Sequence, residues 1–201
     1  MNSPNHKGKH SNIAIQVLLV SSTILVSWFG MMIVHECGHV LHAWVSGGVV
    51  KKVVLHPLTI SRTDLSVNPH PLFVIWGGLI WGCILPLLLW GVSGFLKWSF
   101  SYLFQFFAGF CLIANGVYLG AGSFGKIGDA GDLLYYGTSQ WVLILVGLVS
   151  SATGLLLWHG LGRYFGCGKD KKEINFKTSV AVFMLLLLVV GIEIMVNSQV
   201  D

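Results

Sequence analysis

The stretch "HECGH", His35 to His39, combines two potential metal ligands with a carboxylate at a spacing that suits hydrolysis. On a helix, His35 and His39 lie one turn apart on the same face, with roughly 5–6 Å between their Cβ atoms. Two imidazoles in that arrangement can reach one zinc ion, which prefers a tetrahedral shell of nitrogen, sulfur and oxygen ligands. Glu36 lies beside them and can take a proton from the water that attacks a carbonyl group. The pattern therefore predicts a hydrolytic zinc (Zn2+) site.

A catalytic zinc needs a third protein ligand and one open position. The next glutamate after Glu36 is Glu173, far along the chain in a basic segment, and Val45 stands where an extended form of the motif would place a third histidine. The remaining candidates are His42, His56, Asp64, His70, Asp129 and Asp132. Of these, His42 is close enough to touch the site, although a supporting or interfacial role suits it better.

The Gly-rich junction "GKIGDAGDLLYYG", Gly125 to Gly137, is the most persuasive source of the third ligand. If each apolar run crosses a membrane once, the third run returns to the side where the motif helix ends. Asp129 and Asp132 then emerge beside that end of the motif helix. The alternative is that one of these carboxylates caps the N-terminus of the next helix.

The elements that position these residues are long apolar runs. Of 201 residues, 54% are hydrophobic and 10% are charged, whereas an ordinary soluble domain carries roughly a quarter charged residues. Most runs approach the ~20 residues that a helix needs to cross a bilayer core. They are Ile13–Val45, Leu72–Phe95, Phe100–Phe124, Trp141–Leu161 and Val180–Val196. At membrane depth a lone glutamate costs roughly 2.5 kcal/mol or more, which favours a functional role for Glu36.

The predicted fold is an all-α polytopic membrane protein with about 5–6 transmembrane helices. The alternating stretch "KKVVLHPLTIS", Lys51 to Ser61, predicts a short β-hairpin at the membrane surface after the first helix. The chain divides into a polar N-terminal tail (1–12), a transmembrane metalloprotease core (13–161), a basic loop (162–179) and a C-terminal transmembrane helix with its tail (180–201). Glycines spaced by four, Gly78 with Gly82 and Gly116 with Gly120, predict close helix contacts.

Charge and cysteine usage exclude other classes of function. The formal net charge is +4, and no basic stripe interleaves with aromatic residues, so no nucleic-acid partner is expected. The expected partners are the lipid bilayer and a membrane-protein substrate segment. The four cysteines form no Cys-x-x-Cys pair and are predicted to be packing residues: Cys37, Cys83, Cys111 and Cys167.

Together, these motifs resemble those of the site-2 protease family of intramembrane zinc metalloproteases. The resemblance rests on "HECGH" in the first long run, on the hairpin that follows, and on "DAGDLL" at Asp129 to Leu134, which is similar to the Asp-Gly-Gly-x-x-Leu motif of that family. "GGLIWGCILP" resembles the second core helix of the family only loosely. The resemblance implies that His35, His39 and Asp129 bind zinc and that Glu36 is the catalytic base.

The chain also departs from the family pattern. The Asn-x-x-Pro that precedes the aspartate in the family is missing, since Asn115 is the only nearby asparagine and no proline follows it. Ala130 also replaces a glycine of the family motif. The resemblance covers roughly Met31 to Leu134, and it suggests a divergent, minimal member of the family.

The orientation in the membrane can be argued in two ways. Five crossings place eight Lys and Arg residues on the N-terminal side and four on the side of the motif's end, so the positive-inside rule puts the N-terminus in the cytoplasm. The family resemblance instead implies a site that opens toward the cytoplasm. A break in the first run near Gly30, adding a sixth span, would reconcile the two. The expected location is the inner or cell membrane of a bacterium, as a multi-pass integral protein.

The leading hypothesis is a zinc metalloendopeptidase that hydrolyses a peptide bond in or next to a membrane-embedded segment. The alternative is a non-proteolytic membrane protein that keeps the zinc site. A metal transporter is disfavoured, because the spans carry no further ionisable relay apart from Glu193, which is expected near the membrane interface.

Overall fold

The computed structural model describes residues 13–56, 58 and 61–197, where six helices and one two-stranded sheet are formed. The polar tail predicted for residues 1–12 lies outside the described residues. The elements are α1 (Ile13–Val45), β1 (Val49–Val54), β2 (Arg62–Val67), α2 (Pro71–Phe95), α3 (Ser101–Gly125), α4 (Gly128–Tyr135), α5 (Gln140–Trp158) and α6 (Phe176–Asn197). A short 3-10 helix, Leu161–Phe165, follows α5.

Five of these helices, all except α4, are long and apolar enough to cross a membrane. This confirms the predicted fold class, an all-α polytopic membrane protein with a small β-hairpin after the first helix. Large apolar side chains remain exposed along the outer faces of the helices, as on α5 at Leu145, Leu148 and Leu155. Such faces suit hydrocarbon as their solvent, since water would disfavour them.

The first helix is continuous, so the break that would have added a sixth span is not formed. α1 has 33 residues, and at about 1.5 Å per residue it is about 50 Å long. Gly30 is a close packing contact within it, because a Cβ atom there would lie 3.1 Å from the ring of Phe107. The glycine thus admits a neighbouring side chain, and the helix does not bend there.

Close approach of small residues holds the helices together. A Cβ atom at Gly116 would lie 2.7 Å from the carbonyl oxygen of Gly147 on α5, so α3 and α5 meet backbone to backbone. Gly38 of α1 meets Gly77 of α2 in the same way. In lipid, the hydrophobic effect contributes little to helix association, so close van der Waals contacts of this kind stabilise the bundle. They fix α2 and α3 firmly against their partners.

The hairpin begins at Val49, two residues before the predicted start at Lys51, and its second strand lies beyond the predicted end. β1 pairs antiparallel with β2, and the register places Val54 opposite Arg62. The predicted stretch ended at Ser61, before β2 begins. Pro57 has no N–H to donate to a strand ladder, and the second strand begins with three consecutive polar residues, Arg62 to Asp64, which alternation does not predict.

Five elements meet at one end of the helical bundle: the C-terminal part of α1, the start of α2, the end of α3, α4 and the hairpin. We call this the site end. The opposite end, here called the basic end, contains the turn between α2 and α3, the 3-10 helix and the loop that leads to α6. The count of crossings predicted that Asp129 would lie beside the motif helix, and its contacts with that helix confirm this placement.

Candidate metal site

The two motif histidines lie one turn apart on α1 and face the same point. Their Nε2 atoms are 3.1 Å apart, and their ring centroids are 4.8 Å apart. Both side chains are buried, since His35 is 8% exposed and His39 is 7% exposed. Their burial inside an apolar bundle means that other protein groups must supply the partners that water would otherwise provide.

Asp129 completes the cluster from the first turn of α4. Its Oδ2 atom lies 2.8 Å from Nε2 of His35 and 3.2 Å from Nε2 of His39. These three side chains form the one group of three or more potential metal ligands found within the described part of the chain. The resemblance named the same three residues, and the fold brings them together.

The backbone between α3 and α4 explains why the junction is rich in glycine. Lys126 ends α3 in the left-handed conformation, at φ 52°, and Gly128 follows at φ 54°, so the chain turns sharply back. A side chain at Gly128 would overlap the hydroxyl of Tyr118, and one at Gly131 would overlap the carbonyl oxygen of Lys126. Only glycine at these positions lets α4 bring Asp129 up to α1.

Each histidine is oriented by a hydrogen bond on its far side. Nδ1 of His35 lies 2.8 Å from Oδ1 of Asn115, and the Asn115 amide is itself fixed because its Nδ2 donates to the carbonyl oxygen of Cys111. Nδ1 of His39 lies 2.9 Å from the carbonyl oxygen of Val74. Both Nδ1 atoms therefore carry hydrogens and donate. The Nε2 atoms are left to bind a cation between the rings and Asp129.

The third residue of the cluster is a charged carboxylate. Burial would raise the pKa of Asp129, but its hydrogen bonds with His35 and His39 outweigh burial and hold that pKa well below its ordinary value. Asp129 therefore offers a negatively charged oxygen across the physiological pH range. An anionic oxygen beside two imidazoles compensates the charge of a divalent cation.

Glu36 is held from the hairpin. It is 3% exposed, and its Oε2 atom accepts a hydrogen bond from Oγ1 of Thr63 on β2, at 2.7 Å. Because Thr63 lies 27 residues from Glu36 in sequence, the hairpin must fold back over α1 to reach it. This contact fixes one oxygen of a carboxylate that would otherwise be costly to bury.

A cleft of about 1420 Å³ opens in front of these residues. One part of its wall is apolar and follows α1 and α3, with Trp28, Met31 and Phe110. The other part is polar and includes Asp64 of β2 and Asp132 of α4. Within the described residues β2 pairs with β1 alone, so one edge of β2 is free beside the cleft.

The other candidate ligands lie outside the cluster. His42 bonds the carbonyl oxygen of Phe73 through Nδ1 and stacks on that ring, which is a supporting role for the start of α2. Asp132 is exposed on the wall of the cleft. His56, Asp64 and His70 are likewise absent from the cluster.

Sequence reasoning missed three supporting residues: Asn115, Thr63 and Tyr118. Tyr118 lines the cleft, and its hydroxyl accepts a hydrogen bond from the backbone N–H of Asp129 at 3.1 Å. Asn115 carried a usable signal, because an amide in the middle of an apolar run needs a partner at membrane depth. Thr63 carried none, since a threonine in a strand is ordinary.

No protein-family model, no curated protein and no solved structure matches this chain.

Proposed function

We propose that the protein is an intramembrane zinc metalloprotease of the kind that its resemblance to the site-2 protease family implies. The observation that carries the proposal is the meeting of His35, His39 and Asp129 beside Glu36, on the wall of one cleft among apolar helices. Each of these groups is costly to place among such helices unless it binds something. The proposed activity is hydrolysis of a peptide bond in or next to a membrane-embedded segment of a substrate protein.

The ligand set suits zinc. Two imidazole nitrogens and one carboxylate oxygen, with a fourth position open, are the composition of a catalytic zinc site. Zinc–nitrogen bonds of about 2.0–2.1 Å in a tetrahedral shell would place ligand atoms about 3.3 Å apart. The three ligand atoms here are separated by 2.8, 3.1 and 3.2 Å, so only small movements would be needed. When bound, zinc would polarise the substrate carbonyl and lower the pKa of water.

Glu36 would carry the proton through the reaction. As a water oxygen bonds to the carbonyl carbon of the peptide, Glu36 takes a proton from that water. As the C–N bond breaks, Glu36 gives the same proton to the leaving nitrogen, so the carboxylate is regenerated. Thr63 supports this role, because its hydrogen bond engages Oε2 alone and leaves the other carboxylate oxygen, Oε1, available for the reacting groups.

The cleft favours an extended peptide as the substrate. Its volume exceeds the roughly 300–1,000 Å³ of ordinary small-molecule pockets. The free edge of β2 offers backbone groups to which an extended segment could add as a third strand. The apolar wall near Trp28 and Phe110 suits the hydrocarbon side of a membrane segment, and the polar wall near Asp64 suits the part that leaves the bilayer.

The test replaces Glu36 by Gln, which keeps the shape of the side chain and removes the base. Membrane fractions of cells that express the wild type or Glu36→Gln would be compared for bound zinc and for new protein N-termini. We expect equal zinc, a set of fragments made only by the wild type, and accumulation of their uncleaved precursors in the variant. Glu173→Gln, at an exposed carboxylate of the basic end, is the matched control and should behave like the wild type.

Two outcomes would count against the proposal in different ways. Equal zinc in both proteins, with the same fragments and no accumulated precursor, would leave a zinc-binding membrane protein without proteolytic activity. Absence of bound zinc from the wild type would reject the metal site itself.

A further inference from the structure

Tyr118 is the side chain that contacts the metal-ligand cluster and still has a hydrogen-bond donor available. It lies near the end of α3, and its ring meets the ring of His35 edge to face, with centroids 6.2 Å apart. Its hydroxyl oxygen is 3.1 Å from the backbone nitrogen of Asp129, and the side chain lines the cleft. The hydroxyl is therefore adjacent to two of the three proposed ligands.

The hydrogen bonds of this hydroxyl leave its proton free for a ligand. A phenolic hydroxyl has one proton to donate and an oxygen that accepts. The N–H of Asp129 uses the oxygen as an acceptor, so the proton must point elsewhere. Among the described residues no acceptor receives it, and Tyr118 is 37% exposed toward the cleft.

The other polar side chains near the cluster are already engaged. Asn115 accepts from His35 and donates to the backbone of α3, so its amide is committed at both ends. Thr63 donates its proton to Glu36. Tyr135 and Tyr136 also line the cleft, but their rings contact each other, whereas the ring of Tyr118 contacts His35. Tyr118 is thus the best-placed neutral donor for a group that binds at the cluster.

We propose that Tyr118 is a catalytic residue that donates a hydrogen bond to the oxygen of the scissile carbonyl as that oxygen becomes negatively charged. This inference rests on the proposed function. The tyrosine keeps its proton throughout, while the proton of the attacking water passes through Glu36 to the leaving nitrogen. A donor placed in advance at the developing oxyanion lowers the barrier because it needs no reorganisation during the reaction.

The test measures binding of a tetrahedral anion, so it needs no identified substrate. Zinc-loaded protein in detergent would be titrated by calorimetry with methylphosphonate, whose oxygens mimic the oxyanion, and with 2-mercaptoethanol, whose thiolate requires no hydrogen-bond donor. We expect Tyr118→Phe to weaken methylphosphonate binding by about tenfold or more, the usual effect of losing a hydrogen bond to a charged group. Binding of 2-mercaptoethanol should be unchanged. Tyr164→Phe, in the 3-10 helix at the basic end and outside the cleft lining, is the control and should match the wild type with both probes.

Bound zinc separates the ways in which the inference can fail. If the wild type holds no zinc, the proposed function fails and this inference falls with it. If only Tyr118→Phe loses its zinc, the hydroxyl serves to hold the backbone of Asp129, and the catalytic role is rejected. If both hold zinc and bind methylphosphonate equally, the donor role is rejected while the proposed function stands.

A substrate found by comparing the wild type with Glu36→Gln allows a second measurement. We expect Tyr118→Phe to lower kcat by about a hundredfold, as loss of one oxyanion donor does elsewhere, with little change in KM. A rise in KM at constant kcat would show that Tyr118 contributes to substrate binding alone, and it would overturn the proposal.

Discussion

The two ends of the bundle use their polar side chains in different ways. At the site end, His35, His39 and Asp129 direct their polar atoms at one shared point. At the basic end, three polar side chains instead bond three separate backbone carbonyls. These pairs are Gln16 with Phe165, Gln105 with Leu157, and Trp158 with Phe106. Polar groups that bond separate carbonyls fasten helices together, whereas groups that converge leave room for a ligand between them.

The two ends also differ in charge. The basic end carries six Lys and Arg residues among the described ones: Lys97, Arg163, Lys169, Lys171, Lys172 and Lys177. The site end carries four: Lys51, Lys52, Arg62 and Lys126. Because α1 is continuous, no sixth span changes the side on which the site lies. The positive-inside rule then predicts that the basic end is cytoplasmic and that the cleft opens on the opposite side.

The largest expected effect is an all-or-none difference in labelling. In a Cys37→Ala background, Cys167 at the basic end should react with a membrane-impermeant maleimide only after the cells are permeabilised. With Cys167→Ser and Ser66→Cys added, the exposed hairpin position should react in intact cells. If Cys167 reacted in intact cells and the hairpin cysteine reacted only after permeabilisation, the charge argument would be contradicted. That result would favour the orientation that the family resemblance implies.

The next effect separates the two aspartates of α4. We expect Asp129→Asn to weaken zinc binding by more than the 10–100-fold that loss of a supporting partner costs, because it replaces a ligand directly. Asp132→Asn should leave zinc binding nearly unchanged, since that carboxylate is exposed and lies outside the cluster. Zinc content and affinity of the purified variants would be measured side by side. Equal retention by both would show that Asp129 is not the third ligand.

Glycine-to-alanine substitutions, which each add one methyl group, compare the two halves of α2. A Cβ atom at Gly78 would overlap Nε2 of His39 and lie 2.8 Å from Nε2 of His35. Gly91, near the other end of the same helix, has open space around it. We expect Gly78→Ala to reduce zinc affinity by about tenfold or more, as loss of ligand orientation does elsewhere. Gly91→Ala should keep zinc binding and favour the helix by up to about 1 kcal/mol. Normal zinc affinity in Gly78→Ala would mean that α2 can move away from the ligands.

The sequence predicted the positions of site residues where those positions depend on local spacing or on the number of membrane crossings. Helical spacing alone places His35 and His39 on one face, and run lengths alone define the five long helices. Asp129 could be placed beside them because an even number of crossings separates it from the end of α1. The pairing of Asn115 with His35 joins residues 80 apart in the chain, on α3 and α1. Such a contact depends on the rotation of two helices about their axes, which hydropathy does not determine.

For the hairpin, too, local sequence patterns predicted that the element forms, but they did not predict its long-range contacts. Alternation predicted that a hairpin follows α1, but it did not determine where the second strand begins, because that strand opens with three consecutive polar residues, Arg62 to Asp64. The contact between Thr63 and Glu36 depends on how the folded hairpin lies over α1. Neither the composition of the strand nor its periodicity contains that information.

A further substitution tests how Asn115 supports the site. Asn115→Leu has a similar size but no acceptor, so Nδ1 of His35 would lose its partner. We expect zinc affinity to fall by about 10–100-fold, the usual cost of losing a partner that orients a ligand. Asn115→Asp restores an acceptor and should recover much of that loss. If both variants bind zinc as weakly as each other, packing of α3 against α1 is the main role of Asn115, and orientation of His35 is not.

The smallest effect is expected at the basic end, where the comparison predicts a change in stability alone. Trp158 donates its indole N–H to the carbonyl oxygen of Phe106 at 2.9 Å and stacks on the Phe106 ring. Trp158→Phe keeps an aromatic ring but loses the hydrogen bond, which should cost about 1 kcal/mol of unfolding free energy. Thermal unfolding in detergent would measure that loss. Zinc affinity should remain unchanged, because Trp158 lines the cleft but is not one of the three ligands or of the residues hydrogen-bonded to them. A matching loss of zinc affinity would show that the two ends are coupled through α3, and the separation of roles between them would have to be abandoned.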